Sequence, residues 1–386
     1  MHQKEQDMSY ECLSKLYYMA VGPEILPQII EHIGEVGLHI DCGEENKWSR
    51  VIIEKPFGNN LTSSEELNRL LLKYFREEQI YRIDHYLGKE FVQTILSIRF
   101  ANAAFYNLWC KDYIEHIQIT AFETLGVEGR GAFYDKTGAL RDLVQSHILQ
   151  LIALATMREP DNFLADSLRA KKHEVLSRIV PFSDETICSD IIHAQYVGYR
   201  DEKHVHSASL TETFVAFKTF INLPEWEGVP IYVRTGKRMS KKSTAIHFQF
   251  KPHCSPLYCS KDRTQSLYSN DHPSASPNVL SILLAPEEGI SLRINIKKVG
   301  FGTSLTDVKL KYSYKDTEGN LPEAYERLLM DAITGDQSLY LRTDEITASW
   351  KFVDRIFELW EKNKPTLYFY PAGSEGSEFE LGVEWI

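Results

Sequence analysis

Apolar positions along the chain follow two rhythms, and the change from one to the other predicts two kinds of domain. Leu16 to Val21 is a short apolar run suited to a buried strand, and Gly22-Pro23 then turns into a helix with Pro23 at its first position. The helix carries Ile25, Leu26, Ile29, Ile30 and Ile33 on one stripe. A second buried strand follows at Val51 to Ile53, and Pro56 pushes Lys55 into an extended conformation. Ser63 with Glu66 reads as a capping box, and Leu67, Leu70, Leu71, Tyr74 and Phe75 form the face of the next helix. Strand and helix alternate, as in a doubly wound parallel sheet.

After about residue 83 the texture changes. Helical segments at Phe91 to Phe100 and Ala139 to Met157 are followed by strands of period two. These are Ile117/Ile119, Phe214 to Phe220, Ile246/Phe248/Phe250, Leu292/Ile294/Ile296 and Val308 to Tyr314, separated by hairpin-scale loops. They predict a large, mostly antiparallel sheet. Helices from Pro322 to Ile333 and around Trp350 to Trp360 close the chain, and the polar stretch from Lys251 to Asn278 reads as an inserted loop. The expected organisation is α/β followed by α+β: residues 1–83 as part of a Rossmann-like domain, residues 84–386 as a mixed, mostly antiparallel sheet domain with helices.

Composition narrows the function. With 43% hydrophobic and 25% charged residues the chain is globular, and 386 residues suit two domains. The net charge of -11 gives no footprint for a nucleic-acid backbone, so no nucleic-acid partner is expected. No run is long enough to span a bilayer and the first ten residues hold no apolar leader, so a cytoplasmic protein without a membrane partner is expected. Cys12, Cys42, Cys110, Cys188, Cys254 and Cys259 are too irregularly spaced for a disulfide framework. Cys254 and Cys259, beside His253, lack a second ligand pair at zinc spacing, so no metal site is expected.

Three polar clusters could carry chemistry. In RIDHYLGKE, Arg82 to Glu90, the donors His85, Tyr86 and Lys89 sit near a helix start, where a phosphate is favoured; the stretch also reads as a solvated linker. In the apolar helix from Gly138 to Met157, Asp142 and His147 lie in the half that could face a cleft. His147 could take a proton if a carboxylate such as Asp84 held its other nitrogen, or could be a core histidine bonded to a carbonyl. Beyond a strand ending at Gly236, the cluster Lys237, Arg238, Lys241 and Lys242 suits a small anion, or a solvated turn. Gly126, Gly129 and Gly131 fit no phosphate-loop pattern.

These segments together resemble the glucose-6-phosphate dehydrogenase family. The resemblance rests on RIDHYLGKE, on EKPFG at Glu54 to Gly58, and on Glu123 before a glycine-rich loop. It extends to D-x-x-x-x-H at Asp142 to His147, WEGVP-x-x-x-R-x-GK at Trp226 to Lys237, PEAYERL at Pro322 and SWKFVD at Ser349 to Asp354. It departs at Ser146 and Asn60, where the family usually has Asn and Asp. The resemblance implies oxidation of glucose 6-phosphate to 6-phosphogluconolactone, the first oxidative step of the pentose phosphate pathway, with NADP as hydride acceptor.

It implies His147 as the base and Asp84 as its orienting partner. His85, Tyr86, Lys89 and Lys242 would hold the phosphate, and Glu123, Asp142 and Lys237 the sugar. Lys55 would reach both substrate and nicotinamide, with Tyr18 and Pro56 on the cofactor side. A homodimer or homotetramer through the large sheet is expected. The family's opening strand and glycine-rich turn are not found ahead of Leu16, so the chain is expected to lack the N-terminal dinucleotide-binding segment. The alternatives are then a non-catalytic sugar-phosphate-binding or dimer-forming remnant, or a different sugar oxidoreductase.

Overall fold

A computed structural model of the chain describes residues 13–41, 47–253, 275–300, 304–316, 323–376, 379 and 381–386. Most of the inserted loop expected between Lys251 and Asn278, together with Cys12, Cys42, Cys254, Cys259 and Pro322, lies outside these residues. The chain forms two compact units, each assembled from three stretches. One unit gathers residues up to Val92 with Val144–Ser177 and Leu321–Arg355; the other gathers Gln93–Leu143, Arg178–Asn320 and Ile356–Ile386.

The first unit holds a parallel sheet of β1 (Lys15–Met19), β2 (Ser49–Ile53) and β3 (Ile80–Arg82), in that order. Val51, Ile52 and Ile53 have no solvent exposure, which agrees with a continuous apolar run covered on both faces. The helix after β1 spans Leu26–Glu35, not a start at Pro23: residues 23–25 form a turn, and the proline in the first helical turn is Pro27. Gly34 on this helix lies against the Tyr74 ring of the next one, Leu61–Tyr74, with no room for a side chain. That second helix is capped by Asn60, whose Oδ1 accepts the Ser63 N–H at 2.8 Å, while the Ser63 hydroxyl accepts the Asn60 N–H at 3.2 Å. Ser63 is therefore the third residue of the box and not its cap, because Asn60 supplies a side-chain oxygen first.

The unit's interior also contains ions. Lys172, on the Ala165–Leu176 helix, lies 2.9 Å from Glu345 Oε2, both side chains are essentially inaccessible, and Lys172 also donates to Gln150 at 3.1 Å. Trp350 donates its indole N–H to the Phe57 carbonyl at 3.0 Å.

The second unit is built on nine strands in the order β11-β10-β9-β8-β4-β7-β6-β5-β12. They are β4 (Ile114–Phe122), β5 (Ile191–Tyr196), β6 (Phe214–Thr219), β7 (Ile231–Gly236), β8 (Ser243–Phe250), β9 (Val279–Ala285), β10 (Gly289–Lys297), β11 (Leu305–Ser313) and β12 (Tyr368–Tyr370). Among the described residues of this sheet, β4 with β7 and β5 with β12 are the strand pairs that run parallel. The mixed, mostly antiparallel sheet expected from the period-two runs is present. A core of Phe122, Tyr134, Tyr196, Phe214, Met239 and Tyr370 packs under its β4–β7–β6–β5 half. β11 is a largely exposed edge with Lys309 and Lys311 on it, charges that discourage strand addition. The expected single helix from Ala139 to Met157 is instead a π-wound segment, Leu140–Ile148, continued by the α-helix Leu149–Thr156. Cys110 and Cys188 are free thiols.

Because Glu345 has no exposure, removing its cation strands a buried charge. Lys172→Met should destabilise the protein by about 3–5 kcal/mol in urea unfolding, and the double variant Lys172→Met/Glu345→Leu should recover most of that loss. Equal stability of the single and double variants would contradict the pairing.

Candidate active site

β3 runs on into Ile83-Asp84, and the chain turns there because Asp84 bonds the backbone of its own loop. Its Oδ1 accepts the Tyr86 N–H at 2.9 Å, and its carbonyl accepts the Leu87 N–H at 3.0 Å. The same carboxylate oxygen takes the Nδ1 proton of His147, and both side chains are about 1% exposed. Burial alone would raise the Asp84 carboxyl, but the charge and hydrogen bond of His147, followed by His85 and Lys55, bring it down to about 2. Asp84 is therefore ionised at neutral pH. With Nδ1 donating to it, His147 presents Nε2 as the lone-pair nitrogen, and Lys55 Nζ stands 2.8 Å from that atom.

The rings around His147 fix its plane. Tyr86 stacks on it at 4.1 Å between centroids and 7° between planes, and His85 meets it edge-on at 4.6 Å. Burial first, then the neighbouring His147, lowers His85 to about 4, so its imidazole is neutral at pH 7. Lys89 places Nζ 5.1 Å from the centre of the Tyr86 ring. His85, Tyr86 and Lys89 thus share one short loop at a strand end, just ahead of the helix that begins at Glu90. Asp84, His85 and His147 each offer a ligand atom within 4.8 Å of the others, a grouping that could also hold a metal ion.

The loop is backed by the Ala324–Thr334 helix. Gly88 passes so close that an added Cβ would stand 2.6 Å from the Ala324 carbonyl oxygen and 2.8 Å from Leu328, and Arg327 pairs with Glu90 at 2.7 Å. From the same helix Tyr325 lies parallel to His85 at 6.3 Å and donates weakly to Glu54 at 3.4 Å. Glu54 also accepts the Tyr18 hydroxyl at 2.6 Å, and burial together with this carboxylate raises the Tyr18 phenol. Tyr18, Glu54, Lys55 and Pro56 stand at the carboxyl ends of parallel strands, the place where such sheets take nucleotides. The sequence gives no pairing signal for Tyr325, because its neighbours in space are distant in the chain.

A second cluster belongs to the other unit. Lys237, at the end of β7, is nearly buried and places Nζ 2.5 Å from Glu123, 3.7 Å from Asp142 and 4.9 Å from the centre of the Tyr134 ring. Glu123 is the first residue beyond β4, and its N–H donates to the Gly236 carbonyl at 2.9 Å, so the parallel β4–β7 pair sets the two side chains side by side. Lys242 is exposed and stands outside this hydrogen-bonded group. Tyr134 and Glu212 are the members of this neighbourhood that sequence reasoning missed. Tyr134 could have been sought in the loop-to-helix region after the glycines, whereas nothing in the spacing marks Glu212.

Residues 96–381 match the family described as glucose-6-phosphate dehydrogenase, C-terminal domain, and residues 1–94 match its NAD binding domain. The expectation that the chain lacks the dinucleotide-binding segment is therefore not supported. Glucose-6-phosphate 1-dehydrogenase of Chlamydia pneumoniae is 42% identical over 376 residues, covering 94% of this chain and 72% of the relative. The enzyme of the same name from Bacillus subtilis is 42% identical over 374 residues, covering 94% and 74%. A solved glucose-6-phosphate dehydrogenase in complex with its substrate glucose-6-phosphate superposes with a TM-score of 0.83 at 32% identity, over 96% of this chain and 75% of that one. The corresponding enzyme of Mycobacterium avium gives 0.78 at 35% identity, over 93% and 72%. The chain belongs to the glucose-6-phosphate dehydrogenase family.

Proposed function

We propose that the chain oxidises glucose 6-phosphate at C1 to 6-phosphogluconolactone, with His147 as general base. The observation that carries the reading is the buried His147 held by ionised Asp84 at Nδ1, with Nε2 turned to Lys55. Nε2 would take the C1 hydroxyl proton in place of the Lys55 contact, and Asp84 would stabilise the imidazolium that forms. His85, Tyr86 and Lys89 would grip the phosphate, with Lys242 as a further cation. Glu123, Asp142 and Lys237 would bind sugar hydroxyls. Gripping the distant phosphate would align C1 with the base.

The carboxyl ends of β1 and β2 suit the nicotinamide end of NADP, with Tyr18, Lys55 and Pro56 facing it; when bound, NADP supplies the hydride acceptor. In this reading residues 1–83 serve the cofactor and residues 84–386 serve the substrate and assembly. Exposed Ile296, Leu310 and Tyr312 on β10 and β11 support a homodimer or homotetramer through the large sheet. Among the described residues no helix is long and apolar enough to cross a membrane, which is compatible with the cytoplasmic setting we propose.

NADPH should form when the protein is given glucose 6-phosphate and NADP, read by absorbance; no turnover at saturating concentrations of both would overturn the reading. His147→Asn should lower kcat by about 10²–10⁴-fold with KM changed by less than about threefold. An unaffected rate would remove His147 from its role. Gly88→Ala, which drives a methyl into the Ala324 carbonyl, should weaken glucose 6-phosphate binding by about tenfold in calorimetry, through displacement of the phosphate loop. Asp84 has a depressed carboxyl, so its pairing stabilises the fold above the unfolded value of about 4 and that contribution is lost as pH falls towards 2. The gap in Tm between the native protein and Asp84→Asn should accordingly narrow from pH 5 to pH 2.5.

A further inference from the structure

We infer that Glu212 is a positioning residue that sets Asp142 and Lys237 relative to each other through the backbone that carries them. The inference rests on the reading that those two residues hold the sugar. Glu212 meets the start of the π-wound segment with two acceptors. Its main-chain carbonyl takes the Ala139 N–H at 3.1 Å, and its carboxylate Oε1 takes the Leu140 N–H at 2.9 Å. Asp142 lies two residues further along that segment.

The adjacent residue does the corresponding work for Lys237. The Thr213 carbonyl accepts the Lys237 N–H at 3.0 Å, and the Tyr370 hydroxyl donates to the Lys237 carbonyl at 2.7 Å. Two consecutive residues therefore hold both partners of the 3.7 Å Lys237–Asp142 pair. Gly138 permits the close approach. Its φ of +67° is open to glycine, and a Cβ at that position would fall on Glu212 Oε1.

Glu212 is 3% exposed, and its carboxyl has no use as a solvated charge. Burial pushes it up to about 7, opposed by the Leu140 N–H, its own backbone and Arg141, while the phenols of Tyr134 and Tyr199 lie in its field. Protonated or ionised, it still offers Leu140 an oxygen. Without that oxygen the first N–H of the segment is buried and unpaired, a loss that displaces the segment or costs about 1–3 kcal/mol.

The test compares KM for glucose 6-phosphate with kcat in three variants of the full chain. Glu212→Leu removes the acceptor at similar volume and should raise KM by about tenfold while kcat at saturation falls by less than about threefold, since placed binding groups are what is lost. Glu212→Gln retains an oxygen for Leu140 and should stay within about twofold of the native KM. Asp142→Asn should also raise KM. A folded Glu212→Leu protein with native KM, while Asp142→Asn raises it, overturns this inference alone. An unchanged KM in Asp142→Asn overturns the reading of the sugar site and this inference with it. Where Glu212→Leu does not fold, Glu212→Gln decides: a KM near native supports the role, and a tenfold rise overturns it.

Discussion

A carboxylate with no access to water must be compensated where it stands, and around Asp84 that requirement organises the first unit. One oxygen takes the Tyr86 N–H and the His147 Nδ1 proton, so a single buried charge both shapes the loop after β3 and chooses the tautomer of the histidine. The loop has no slack elsewhere. Gly88 rests on the Ala324–Thr334 helix without room for a methyl group, and Arg327 pins Glu90 where the next helix begins. His85, Tyr86 and Lys89 inherit their positions from these constraints, since three consecutive turns of backbone are fixed before any ligand arrives.

Much of this was legible in the chain, and the legible parts share a cause. Stripes such as Leu67, Leu71 and Phe75 are local consequences of burying one face, so they survive without tertiary information. RIDHYLGKE stood out because polar donors gathered at a strand-to-helix junction. The losses have the opposite cause. The helix cap passed from Ser63 to Asn60 because two residues could serve and geometry chose. The π winding of Leu140–Ile148 leaves no periodic mark distinct from an apolar helix. β5 and β12 pair across more than 170 residues, so neither announces a partner locally.

Glu212 is the clearest case of information held only in three dimensions. Its own sequence neighbourhood is an ordinary polar entry to β6, yet its carboxylate closes a contact 72 positions away and its neighbour Thr213 holds Lys237. Each compact unit draws on three separate stretches of chain. A residue that ties such stretches together touches residues remote in sequence by necessity, and no window of periodicity can contain both ends.

Lys55 completes the electrostatics of the dyad in a way that bears on how the base is released. It holds the Nε2 lone pair of His147 by a 2.8 Å contact, and its positive charge helps to keep Asp84 ionised. In the proposed mechanism a substrate hydroxyl seeking that lone pair would have to displace an ammonium donor, so a weak or misplaced hydroxyl would not engage the base. Once displaced, the ammonium would remain on the short tether beyond β2, next to Glu54 in the chain, where it could offset charge that builds on the oxygen losing its proton. In the proposed mechanism the same lysine would therefore guard the base before binding and support the transition state after it, and both roles would follow from its place just beyond a buried strand.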